Sequence, residues 1–120
     1  MRTNATDVRA IMDDTTLTDI IIDNYINSAN KFVTNALGST DLDDDTLKSI
    51  EQWVTAHLIA YTRERQSKKE EAGGAKIEYT GVFGSGLKGT SYGQMAIALD
   101  TSLTLEELSK GKKSISIQAL

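Results

Sequence analysis

Two stretches of this chain repeat apolar residues at steps of three and four, and they leave little choice of architecture. Ile22, Tyr25/Ile26, Ala29, Phe32/Val33 and Ala36/Leu37 form one stripe. Leu47, Ile50, Trp53/Val54, His57/Leu58 and Tyr61 form another. At 3.6 residues per turn each stripe lies along one face of a helix, the first about five turns long. Ser39–Leu42 separates them, a loop length typical of antiparallel neighbours. The expected fold is therefore mainly α, a small helical bundle. No proline interrupts it anywhere.

The ends of these helices are also written in the sequence. Thr15–Asp19 supplies hydroxyl and acidic residues suited to an N-cap. Gly38 follows the first stripe, where a left-handed C-cap is expected. The next helix starts at Asp43 or Asp44. With Asp43 as N-cap, Leu42 and Leu47 take the hydrophobic staple positions, and Asp44 and Asp45 suit the helix dipole. Arg63 and Arg65 suit its other end. A shorter helix is expected near Thr6–Met12, with Val8, Ile11 and Met12 on one face.

After residue 65 the character changes. Seven of the nine glycines fall between Gly73 and Gly93. The single domain is thus expected to divide into a helical body at 4–65, a long glycine-rich mobile loop at 66–90, a short helix at 91–100 and a C-terminal docking tail at 101–120. Within the loop, Ile77, Tyr79 and Val82-Phe83 suit one short strand. Ser91 and Gln94 fit a capping box ahead of the apolar run Met95–Leu99, and Thr104 and Glu107 fit another. Ser114–Leu120 alternates apolar and polar, which is strand periodicity without a hairpin partner. Ile115 and Ile117 share one face of it, with Leu120 just beyond, and Lys112 and Lys113 precede it. These five are the candidate partner-binding residues. A frayed terminus explains the tail equally well.

Composition narrows the function. With no cysteine, disulfides, thiolate metal sites and cysteine nucleophiles are excluded. A single histidine excludes a multi-His site within one subunit. No run approaches a membrane span. The first ten residues carry no apolar leader, so the chain is expected to be made in a cytoplasm and the acceptor Asn4-Ala5-Thr6 to go unused. Residues 1–57 hold ten acids and four bases, while 58–120 hold seven acids and nine bases. An acidic first half argues against gripping phosphate.

Four motifs invite chemistry, and each has a plainer reading. Gly84–Gly89 spells G-x-G-x-x-G, but the strand before it is poor, the helix after it short, and positions 109 and 110 are Ser and Lys where an acid is needed. Lys88-Gly89-Thr90 has the wrong order for a phosphate loop. Asp41, Asp43 and Asp45 match the start of a calcium loop, but Thr46 and Gln52 stand where glycine and glutamate belong. His57 lies on an apolar stripe, where a packed, hydrogen-bonded histidine is expected. Arg63, Arg65, Lys68 and Lys69 are interleaved with Glu64, Glu70 and Glu71, as at a solvated helix end.

The order of these features resembles the small head–tail connector (adaptor, or head-completion) proteins of long-tailed double-stranded DNA bacteriophages. The elements that carry the resemblance are Thr18-Asp19, Tyr25-Ile26-x-x-Ala29-Asn30, Ile50-Glu51-x-Trp53-x-x-Ala56-His57-Leu58, and Thr90-Ser91-Tyr92-Gly93-Gln94 leading into Ala96–Asp100. They span most of the chain. Ser102-Leu103 departs from the pattern, which has a glycine after the helix. The resemblance implies a structural virion protein: a ring, typically of twelve copies, beneath the portal protein. It extends the DNA channel and presents a platform to the next neck or tail-completion component. It implies no reaction, no cofactor, no metal and no membrane. DNA passes through the lumen without specific binding, which an acidic wall suits. The alternative is a small helical nucleic-acid-binding or regulatory protein using Arg63–Lys69, Lys110, Lys112 and Lys113. A third reading is an enzyme built on acidic residues and His57.

Overall fold

The computed structural model describes residues 2–12, 17–71 and 85–110, with backbone alone for 63–71 and 85. Among the described residues there are five α-helices and no strand. They are α1 (Ala5–Ile11), α2 (Asp19–Leu37), α3 (Asp44–Glu71), α4 (Ser91–Leu99) and α5 (Thr104–Ser109), with a 3-10 turn at Ser85–Gly89 before α4. The fold is mainly helical, as the stripes predict.

The first three starts follow from short polar side chains. Asn4 caps α1, its Oδ1 accepting from the Asp7 amide at 2.9 Å. Thr18 caps α2 by accepting from the Ile21 amide. Asp43 caps α3, accepting from the Thr46 amide at 2.8 Å. Each satisfies a donor that the helix itself leaves open.

Helix α3 is the centre of the molecule. It packs on α1, α2 and α4. Residues Val54–Ile59 are buried without a break, so this stretch faces protein all round rather than along one stripe. Thr55 and Thr62 fit there because their hydroxyls donate to Glu51 O and Leu58 O one turn back. The main core joins Ala29, Phe32, Val33 and Leu37 of α2 to Ile50, Val54 and Leu58 of α3, with Leu87, Ala96, Leu105 and Leu108 closing it. A second cluster sets Ala5, Val8 and Met12 against Ile22, Ile26, Ala56 and Ile59.

Several local expectations need correction. Helix α3 runs to Glu71, past the expected end at Arg65. Gln66–Glu71 is polar but built of residues that tolerate helix, and the first breaker is Gly73. The loop expected at 66–90 therefore begins as helix and ends as the 3-10 turn. Gly38 is right-handed, φ −63 and ψ −24, not left-handed. A Cβ there would lie 2.4 Å from Thr34 O, so close approach rather than handedness calls for glycine. The cap of α4 is Thr90, not Ser91, and its hydroxyl accepts from the Gly93 amide. Gln94 reaches back to Lys88 O instead of closing a box. Thr104 does not cap α5. Asp100 does that work from the preceding turn, its carboxylate accepting from the Leu105 amide at 2.8 Å and from Ser102.

The strand at 77–83 and the tail residues Lys112, Lys113, Ile115, Ile117 and Leu120 lie outside the described residues.

Candidate functional site

Three buried polar centres hold the helices in register. The first surrounds Glu51, whose side chain is fully buried. Its Oε2 accepts from the Arg2 amide (2.9 Å) and the Thr3 amide (3.1 Å). Its Oε1 accepts from Arg2 Nη1 and Asn30 Nδ2, both at 3.0 Å. Four donors and one guanidinium charge answer a carboxylate that would otherwise be expensive to bury. The signal was present in the sequence: Glu51 falls on the stripe Leu47, Val54, Leu58. An acid on an apolar face needs partners, but none of its partners is visible from spacing.

The second centre is His57, also fully buried. Its Nδ1 lies 2.7 Å from Thr90 Oγ1, and its ring packs against Tyr61 at 5.4 Å. Because Thr90 caps α4, this contact joins the middle of α3 to the start of α4. Next to it Trp53 stacks on Tyr92 at 6.2 Å. Gly93 sits so close that a Cβ would lie 2.9 Å from His57 Nδ1. The hydroxyl beside the histidine is thus a helix cap. The third centre is Asp100, which ties α4 to α5.

The other sequence motifs resolve into local structure. The described part of the glycine motif, 85–89, is the 3-10 turn, anchored by the fully buried Leu87. Asp43 is a cap. The Thr46 side chain and amide both hold its carboxyl below the usual value. Among the described residues no group of three or more His, Cys, Asp or Glu side chains could hold a metal ion. No described helix is long and apolar enough to cross a membrane. Lys110, one of the bases offered to nucleic acid, pairs with Glu106 at 3.6 Å and Glu107 at 3.9 Å.

Four large apolar side chains are left exposed among the described residues. Ile20 and Ile21 at the start of α2 are 75% and 41% exposed, Met95 of α4 is 41% exposed and Leu103 is 56% exposed. Leu103 is also the one described non-glycine residue with positive φ, at 65. No family model, curated protein or solved structure matches this chain.

Proposed function

We propose that this chain is a structural virion protein, a subunit of a ring of about twelve copies beneath the portal, as its resemblance to the connectors implies. The ring extends the DNA channel and joins the capsid to the neck or tail. The observation that carries the reading is the apolar surface exposed at Ile20, Ile21, Met95 and Leu103. A leucine in the left-handed region strains the backbone by about 1–2 kcal/mol, and here its apolar side chain is also left in water. Glycine would relieve both. Strain kept at an exposed residue points to a role for that side chain, and contact with a neighbouring subunit supplies one. Ile20, Ile21 and Met95 add apolar surface of the kind a subunit contact covers.

Electron microscopy of the purified protein, alone and mixed with portal, tests this. Rings, or density added beneath the portal, are expected. A particle that stays monomeric at every concentration and does not bind portal would overturn the proposal. Salt-dependent binding to duplex DNA at physiological ionic strength would favour the nucleic-acid alternative instead.

A further inference from the structure

Residues 2–12 join the rest of the molecule through a patch of their own. Ala5, Val8 and Met12 cover Ile22, Ile26, Ala56 and Ile59. The main core takes no residue from this segment and is closed by α2–α5 and the 3-10 turn alone. A seven-residue helix does not hold together by itself, so α1 is helical because it is docked. Three of the four donors to the buried Glu51 carboxylate belong to Arg2 and Thr3. The remaining ties include Arg2 Nη1 to Thr34 Oγ1, Gln52 Nε2 to Asp7 O, Arg9 Nη2 to Leu17 O, Lys48 to Asp7 and Arg9 to Asp19. The last two are surface pairs, which contribute little.

We propose that residues 2–12 are a detachable strap latched by Glu51. The strap opens and closes as a unit while α2–α5 stay folded. Opening returns the Glu51 carboxylate to water and bares Ile22, Ile26, Ala56 and Ile59. The balance favours this over global unfolding because a carboxylate released from its donors regains water, so each bond lost is a modest net change. The three strap side chains are also a small share of the buried apolar surface.

Native-state amide exchange on the full chain, followed across low denaturant concentrations, tests the strap. The amides of Val8 and Met12, which bond to Asn4 O and Val8 O, are expected to exchange at least about tenfold faster than those of Val54 and Leu58. Their denaturant slope should also be shallower, since strap opening exposes less surface than unfolding. Equal rates and slopes at all four amides would show that α1 opens only with the whole molecule, and the proposal fails. Glu51→Gln keeps the size but removes the charge, and should speed Val8 and Met12 by roughly tenfold or more. Unchanged rates there would rule out the latch. The slopes are read on the unmodified chain, so they decide even where Glu51→Gln does not fold. Arg2→Ala then reads the latch, with severalfold faster exchange at Val8 and Met12 expected and no change overturning it.

Discussion

Leu103 carries opposing costs on one residue, and they can be separated. Glycine at this position removes the left-handed strain of about 1–2 kcal/mol but gains freedom in the unfolded chain worth roughly 0.5–1 kcal/mol. Leu103→Gly is therefore expected to melt no lower than the parent and to be up to about 1.5 kcal/mol more stable, while weakening ring formation. A clear drop in melting temperature would mean that the turn depends on the leucine's packing, and normal rings would remove the role proposed for it. Asp43 gives a second test at this scale. Its folded carboxyl titrates below the ordinary 3.8, because the Thr46 side chain and amide donate to the charged form. The stability it supplies is therefore fully present above that ordinary value and is lost as pH falls through the lower, folded value. Asp43→Ala should lower the melting temperature at neutral pH, and the gap to the parent should narrow as the medium is acidified below 3.8. A gap that stays constant through that range would contradict the cap. Asp43 was legible as a cap from its neighbours Leu42 and Leu47, since capping is settled within a few residues of chain. The handedness of Leu103 was not, because nothing in its side chain asks for positive φ.

Between elements, the contact that decides most is the one where α3 meets α4. Leu87 O, His57 Nδ1 and the Gly93 backbone converge there. A Cβ on Gly93 would lie 2.0 Å from Leu87 O and 2.9 Å from His57 Nδ1. Both the 3-10 turn and the histidine would have to move, and the Thr90 cap with them. Gly93→Ala is expected to destabilise by about 2–3 kcal/mol, at the upper end of overpacking effects, with the loss read by denaturant unfolding. A neutral result would mean that the turn shifts freely. The glycine-rich stretch looked like a loop because glycine is commonest in loops. Gly93, placed by the sequence in the short helix at 91–100, permits a close helix contact, a reason that exists only once the chain has folded back on itself. The continuation of α3 to Glu71 was missed for the opposite reason: six polar residues show no stripe, yet contain no breaker.

At the scale of the whole molecule, the bundle depends on α3 being surrounded. Val54 is fully exposed to protein and not to water. Val54→Asp would bury an unpaired charge and should remove several kcal/mol, on the order of most of a small domain's stability. An unchanged melting temperature would refute the packing described for α3. By itself, the sequence determined where the helices lie, the pairing of α2 with α3 and the caps that start those two helices. These follow from periodicity and from hydrogen bonds spanning a few residues, which are local properties of the chain. Only the tertiary structure decided that Glu51 would be a buried anchor for Arg2 and Thr3, that His57 would join α3 to the cap of α4, and that Leu103 would face water on a strained turn. Each of these brings together groups far apart in sequence, or sets a backbone angle through the packing on either side. Spacing along one strand of sequence carries no record of such partners, because the energy that selects them arises only when desolvation forces a buried polar group to find one.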